Sequence, residues 1–135
     1  MQYAATLHTS SKGRGFSLVE VLAAVAIIGV ITFLALPNII TIRQDAETNL
    51  AITRAEAVNM ATAAFIQSRG RANAETTWSS AATAQQRYSL LAPFLAFAPA
   101  TVGQNMPAGY TLTYPASLAS LAKIPLTGPG GAIGY

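Results

Sequence analysis

The 135-residue chain contains no cysteine, and its one histidine is His8. Without cysteine there is neither a disulfide framework nor a thiol nucleophile, so the fold must be held together by packing. Acids are also scarce, with Asp45 as the only aspartate and no acid beyond Glu75. A hard cation prefers several oxygen ligands that include carboxylates. We therefore expect no metal site, and we expect no cofactor.

The chain is also poor in charge, because only 10% of its residues are charged, although the formal net charge is +3. Lys12 and Arg14 account for two of the eight bases, and the other six stand against five acids. Binding a polyanion requires clustered Lys and Arg. The nearest approach to a cluster is Arg69 with Arg71, a position that suits the end of a helix. The charge pattern therefore predicts no nucleic-acid partner.

What the sequence does have is a long apolar run, Phe16 to Leu36. As a helix its 21 residues reach about 32 Å, which is enough to cross a bilayer core of about 30 Å. Glu20 is the only ionisable side chain in the run, and an acid in lipid costs roughly 2.5 to 3.5 kcal/mol. Because Lys12 and Arg14 precede the run, its amino-terminal end should stay cytoplasmic. The run therefore predicts a single membrane span. It also predicts that Glu20 has a role that offsets the cost of placing an acid in lipid.

The segment from Lys12 to Ile31, KGRGFSLVEVLAAVAIIGVI, resembles the class III signal sequence of type IV pilins and type II secretion pseudopilins. The basic leader, the Gly-Phe junction, the acid and the apolar run all occur in register with that signal sequence. The resemblance implies a leader peptide over residues 1–15, cleavage by a prepilin peptidase between Gly15 and Phe16, and methylation of the new amino group on Phe16. An ordinary secretory signal is cut after its apolar core, whereas this cut precedes the core and retains it.

The resemblance also implies that Glu20 acts in filament assembly. Cleavage exposes a positive amine on Phe16 in apolar surroundings, and a carboxylate from a neighbouring subunit can neutralise it at close range. Two other interpretations remain open. Glu20 can face its own amine one turn away together with the helix dipole, or it can lie at the level of the lipid headgroups. The contact between subunits is the role usually proposed for pilins, and we assign it to Glu20.

Beyond the run, residues 43–69 contain neither Gly nor Pro and are rich in Ala, which favours a helix. We expect an apolar membrane or filament-core helix over residues 16–42, an amphipathic continuation over 43–69 that ends at Gly70, and a small globular head over 70–135. The residues expected on the core face of the amphipathic part are Leu50, Ala57, Val58, Ala61 and Phe65.

Two residues weaken the expected stem helix. Pro37 removes a backbone donor at a cost of about 3 kcal/mol, and Gly29 costs roughly 1 kcal/mol relative to Ala. In filaments of the proteins that this chain resembles, the matching stretch can be extended or melted. The other interpretation is a proline kink in a continuous helix. For a single chain we expect the kinked helix.

The sequence predicts an α+β fold, in which the head that follows the long stem helix contains a short helix and a minimal antiparallel β-hairpin. The helix should extend from Thr76 to Leu91, capped by Thr77 and ended by Pro93. The hairpin should pair residues 109–114 with residues 122–127.

The rest of the head is expected to be irregular. Phe94, Leu95 and Phe97 should anchor a connector over residues 94–107. The Gly-Pro-Gly-Gly segment that begins at Gly128 should be loose, because it offers little to bury.

Catalysis is not expected. Once the leader is removed the chain has neither His nor Cys, which excludes a Ser-His-Asp triad, a thiol nucleophile and a His-based metal site. The chain is therefore not expected to be an enzyme. The aromatic residues of the head can form either a carbohydrate-binding platform or the core, and we favour the core. They are Trp78, Tyr88, Phe94 and Tyr110.

The interpretation that we prefer is a structural subunit, a pilin or pseudopilin, of a helical filament of the type II secretion or type IV pilus kind. It is expected in the bacterial inner membrane with the head in the periplasm or outside. Its expected partners are the prepilin peptidase, homologous pilin subunits, an inner-membrane assembly platform and membrane lipid. The alternative is a membrane-anchored, partner-binding protein that spans the membrane once and does not polymerise. Secretion, pilus extension, adhesion and DNA uptake share the same stem chemistry, so the stem does not distinguish them.

Overall fold

The computed structural model describes residues 15–135, and within them it has the predicted α+β fold class with a long amino-terminal helix. The helices are α1 (Leu18–Arg69), α2 (Arg71–Ser80) and α3 (Ala84–Leu91), with 3₁₀ turns at Ala92–Phe94 and Val102–Asn105. The strands are β1 (Thr111–Leu112), β2 (Leu126–Gly128) and β3 (Gly131–Ile133), and they form an antiparallel sheet in the order β1-β2-β3.

The chain divides into two compact units after Ile40. The described part of the first unit, residues 15–40, contains the first part of α1 and its apolar side chains. The second unit, Thr41–Tyr135, holds the remainder of α1 and every other described element. We call these the apolar unit and the head unit.

Helix α1 ends where the sequence predicts, at Gly70. This residue has φ 74°, a conformation that glycine adopts without a steric penalty and that ends a helix. The next helix follows at once, because the amide of Ala74 donates to the Gly70 carbonyl at 2.9 Å. A single glycine therefore separates the long helix from α2.

The single helix expected from Thr76 to Leu91 is wrong, because the chain forms two helices there. Thr83 starts the second one: its hydroxyl accepts from the amide of Gln86 at 3.2 Å, and the Gln86 side chain accepts from the Thr83 amide at 3.1 Å. This reciprocal capping box satisfies two donors at the start of α3. The expected cap, Thr77, lies inside α2 instead.

The connector after α3 is only partly anchored as predicted. Leu95 is half-buried against the main core, and the ring of Phe94 meets that of Phe65 edge to face with centroids 6.1 Å apart. Phe97 is wrong as an anchor, because 74% of it is exposed. Pro93 lies in the 3₁₀ turn that directly follows α3.

The sheet confirms the predicted pairing only in part, because residues 109–110, 113–114 and 122–125 lie outside the strands, and it adds a third strand. Thr111 lies opposite Thr127 in the antiparallel register of β1 and β2. The tail expected to be loose instead makes a tight turn into β3, in which Gly128 pairs with Gly131. A Cβ on Gly128 would lie 2.8 Å from the Ile133 side chain and 2.9 Å from the Tyr110 ring, so only glycine fits there without a shift.

The core of the head unit lies between one face of α1, the two short helices and the sheet. Trp78 and Tyr88 are its largest buried side chains, and the indole nitrogen of Trp78 donates to the Pro115 carbonyl at 2.8 Å. The predicted core face of α1 is partly wrong, because Leu50 is 44% exposed and Ala57 is only half-buried. The buried residues of α1 are Ala51, Ala55, Val58, Ala61, Thr62 and Phe65.

Candidate functional site

The junction expected to be cleaved lies immediately before the first turn of α1. Gly15 and Phe16 precede the helix, and the amide of Val21 donates to the Ser17 carbonyl at 3.2 Å to close the first turn. Glu20 is the acid of that first turn. The rest of the expected leader, including the two bases that precede the junction, lies outside the described residues.

Glu20 is exposed, and no basic group among residues 15–135 pairs with it. The ion pair formed within that range joins Arg43 and Glu47, with Nε and Oε1 3.2 Å apart. A carboxylate in the first turn is stabilised by the partial positive charge at the helix amino terminus. In the described part of the chain, Glu20 therefore has the helix dipole but no ionic partner.

Residues 15–40, the described part of the apolar unit, have no buried face. None of the most apolar 18-residue window of α1 is buried, and this stretch is long and apolar enough to cross a membrane. Phe33 is 76% exposed, and side chains on the other sides of the helix are exposed as well. A helix that is apolar all round needs an apolar environment on every side, from lipid or from other helices. Length, composition and exposure together indicate membrane anchoring.

The two residues expected to weaken the stem lie inside α1. The helix continues through Gly29 and Pro37, and Thr32 donates its hydroxyl to the Ile28 carbonyl at 2.8 Å between them. Proline has no amide hydrogen, so the carbonyl of Phe33 does not receive the usual helical bond from position 37. Local melting of this stretch in an assembly stays a prediction.

The predicted core role of the head's aromatic residues is confirmed. Trp78 and Tyr88 are buried, and burial raises the pKa of the Tyr88 hydroxyl above its usual value of 10.0. Tyr110 is buried too, and its hydroxyl lies 2.7 Å from the hydroxyl of Thr48. Phe94 lies at the edge of the cluster with about a third of its surface exposed. They do not form an open platform.

Glu75 has a role that sequence reasoning did not find. Hydrogen bonds from the Ser117 hydroxyl and from the Leu118 amide, the latter at 2.6 Å, lower the pKa of its carboxyl below the usual 4.5. Ser79 also donates to this carboxylate at 3.1 Å. The carboxylate thus holds the loop after β1 against α2. The sequence shows Glu75 only as a lone acid on a short helix, and this does not reveal its role, because the partners in the loop are about 40 residues away.

An open groove of about 610 Å³ lies between α1 and the β2–β3 turn. Thr48 and Tyr110 form part of its wall, together with residues 128–133. Within residues 15–135, no group of three or more His, Cys, Asp or Glu side chains is placed to hold a metal ion.

A family model described as the prokaryotic N-terminal methylation motif matches residues 10–36. The match covers the expected cleavage junction, Glu20 and most of the exposed apolar helix. It makes this segment pilin-like, with a prepilin-type signal of the kind processed by prepilin peptidases, and proteins that carry it are structural rather than catalytic. Neither the comparison with curated proteins nor that with solved structures returned a match.

Proposed function

Because the chain carries a prokaryotic N-terminal methylation motif on an exposed apolar helix, we propose that it is a subunit of a helical filament of the type II secretion or type IV pilus kind. A prepilin peptidase cleaves between Gly15 and Phe16, and the new amino group of Phe16 is methylated. The mature subunit remains in the inner membrane through the apolar unit until an assembly platform adds it to the filament.

One observation supports this proposal most strongly. The matched segment contains a single acid, Glu20, and this acid lies in the first turn of a helix whose apolar side chains are left uncovered by the rest of residues 15–135. Association with other copies covers those side chains and provides the acid with a partner. The partner is the amine of Phe16 on a neighbouring subunit, and the pairing sets the axial register between the two.

The proposed orientation follows from charge. Lys12 and Arg14 lie on the cytoplasmic side, and the head unit lies in the periplasm or outside the cell. A reporter enzyme that is active only outside the cytoplasm, fused after Tyr135, should be active. Activity only of a reporter that requires the cytoplasm would contradict this orientation.

The assembly role of Glu20 is tested with Glu20→Ala in cells that contain the assembly machinery. We expect the variant to be cleaved and to stay in the membrane fraction, but to give few or no filaments in sheared fractions under the electron microscope. Glu56→Ala is the matched control, because Glu56 is an exposed acid on the same helix in the head unit. Normal filament yield from Glu20→Ala would remove Glu20 from the proposal.

If the chain is instead a partner-binding protein that does not polymerise, lipid alone covers the apolar unit. Neither the native chain nor either variant would then give filaments, although the protein would still be found in the membrane. The native chain in the same experiment therefore separates the two functions.

A further inference from the structure

A hollow of about 190 Å³ opens in the head unit between α1 and the connector that follows α3. Thr53, Arg54 and Ala57 line it from α1, and residues 95–97 together with Asn105 line it from the connector. For comparison, an engineered apolar cavity of about 150 Å³ binds benzene. The hollow can therefore hold a small molecule or a single side chain, but not a long segment of another chain.

Asn105 brings an unpaired hydrogen-bond donor to this hollow. Only 5% of the residue is exposed, and its side-chain nitrogen Nδ2 has no hydrogen-bond partner among residues 15–135. Most buried polar atoms in proteins are paired, and a buried donor without a partner destabilises the fold. An acceptor atom on a ligand in the hollow would remove that penalty.

Arg54 adds a positive charge that no acid of the head balances. Its Nη1 donates to the Asn105 carbonyl at 2.7 Å and to the Gln104 carbonyl at 3.5 Å, so the half-buried guanidinium is tied to the connector. No Asp or Glu lines the hollow, and no carboxylate of residues 15–135 forms an ion pair with Arg54. A guanidinium has five donors in a fixed geometry. The described bonds use only Nη1, so Arg54 retains donors for a ligand.

The other walls of the hollow are largely apolar, with Ala57, Leu95, Ala96 and Phe97. The remaining polar wall residue is occupied, because the hydroxyl of Thr53 donates to the Asn49 carbonyl at 2.9 Å. A carboxylate is a pure acceptor that pairs well with a guanidinium and an amide nitrogen. From this donor set and these walls, we propose that the hollow binds a carboxylate carried on a small apolar group.

In the bound state the carboxylate accepts hydrogen bonds from Arg54 and from Nδ2 of Asn105, and the apolar group lies against Leu95 and Phe97. Free short-chain acids carry this chemistry, and so does the apolar carboxy-terminal residue of a peptide. The proposal goes beyond the filament function and does not depend on it, because a single head unit supplies every wall of the hollow.

The test titrates the full chain in detergent micelles with isovalerate and with its neutral counterpart, isovaleramide. Binding is followed by nuclear magnetic resonance at the side-chain amide of Asn105, identified by its absence from Asn105→Leu, and at the backbone amide of Ala96. We expect isovalerate to shift both signals until they saturate. Isovaleramide should bind at least about tenfold more weakly, because hydrogen bonds to a charged group are the stronger ones.

The peptide Gly-Gly-Leu, with a free or an amidated carboxy-terminus, distinguishes the two sources of the ligand. Tighter binding of the free-ended peptide than of isovalerate identifies a chain end as the source. Binding of isovalerate but not of the peptide identifies a free acid. Both results support a carboxylate site.

Arg54→Gln should weaken isovalerate binding at least about tenfold, because glutamine keeps a donor but loses the charge. Asn105→Asp tests the site from its other wall, since the new carboxylate would compete with the ligand for Arg54 and abolish the shift at Ala96. Arg43→Gln is the matched control, because Arg43 is an exposed arginine on the same helix that does not line the hollow. It should bind isovalerate like the native chain. Trp78 fluorescence checks that each variant remains folded.

Equal affinity for isovalerate and isovaleramide would overturn the proposal, because the hollow would not select a carboxylate. It would also be wrong if neither isovalerate nor the free-ended peptide moved the Asn105 signal, or if Arg54→Gln and Arg43→Gln bound equally well. These titrations use the purified chain without the assembly machinery. Their failure would leave the filament proposal standing, and a lack of filaments in cells would leave this site standing.

Discussion

The first and second parts of α1 belong to one helix but differ in where their apolar side chains face. Between positions 18 and 40, every side of the helix is apolar and exposed. In the head unit, one face of the helix is buried against α2, α3 and the sheet, and polar residues occupy much of the rest. Phe33 and Phe65 represent the two situations, since the first is 76% exposed and the second is fully buried.

This difference shows where each part obtains its stability. Apolar side chains stabilise a fold only when water is removed from them. The head unit does this within one chain, so its stability is intrinsic. The apolar unit needs lipid or other copies to cover it, so its stability depends on what surrounds it. Substitutions in the two parts should therefore affect different measurements.

The largest expected effect is a loss of head stability when a phenylalanine of α1 is replaced by alanine in the head unit but not in the apolar unit. Phe65→Ala should destabilise the head by about 3 to 5 kcal/mol, because it leaves a cavity beside Trp78, whose ring centroid lies 6.2 Å from that of Phe65. Trp78 is the only tryptophan, so its fluorescence during denaturant unfolding in detergent micelles reports the change directly.

Phe33→Ala is the matched variant in the apolar unit. It should leave the unfolding midpoint of the head unchanged and act only on filament yield. Equal loss of head stability from Phe33→Ala and Phe65→Ala would break the distinction between the two parts of α1.

A smaller effect is expected from Gly128→Ala within the head. The new Cβ would lie 2.8 Å from Cδ1 of Ile133 and 2.9 Å from the Tyr110 ring. The Ile133 side chain can shift, but Tyr110 is held by its contact with Thr48. We expect a loss of about 1 to 3 kcal/mol in the free energy of unfolding.

Gly130→Ala is the control in the same turn, because an added Cβ there has no neighbour within 4 Å. If the two alanine variants unfold at the same denaturant concentration, the close packing of β2 on Tyr110 is not what requires glycine.

The smallest effect concerns pH. The pKa of Glu75 is lowered in the folded head, so its ionised form stabilises the fold above the usual value of 4.5. That contribution is lost as the pH falls through the lower folded value. Unfolding midpoints measured from about pH 6 down to about pH 3 should fall less steeply in Glu75→Gln than in the native chain.

Ser117→Ala sharpens this prediction, because it removes only the first of the hydrogen bonds that lower the pKa. Its pH dependence should lie between those of the native chain and Glu75→Gln. Identical pH profiles for all three proteins would mean that the carboxylate does not hold the loop.

Features that depend on local sequence could be predicted. The long helix follows from the apolar run and the Ala-rich stretch, and its end follows from Gly70. The capping box at Thr83 and Gln86 was also readable, because a threonine followed three residues later by glutamine is its signature. The break between α2 and α3 is therefore contained in the local sequence.

Features that depend on distant contacts could not be predicted. Gly128 lies against the Tyr110 ring, and nothing near Gly128 in the sequence indicates this contact. Leu50 and Phe97 are apolar, but only the folded head reveals that both face outward. In the candidate site, the motif identified the junction and Glu20, whereas the role of Glu75 required the structure.

Mass spectrometry of the amino-terminal peptide of the protein purified from membranes tests the central proposal most directly. We predict a peptide that begins at Phe16 and carries a methyl group on its amino nitrogen. A peptide that still contains the leader residues before Phe16 would contradict cleavage, and with it the role of Glu20 as the partner of a newly formed amine.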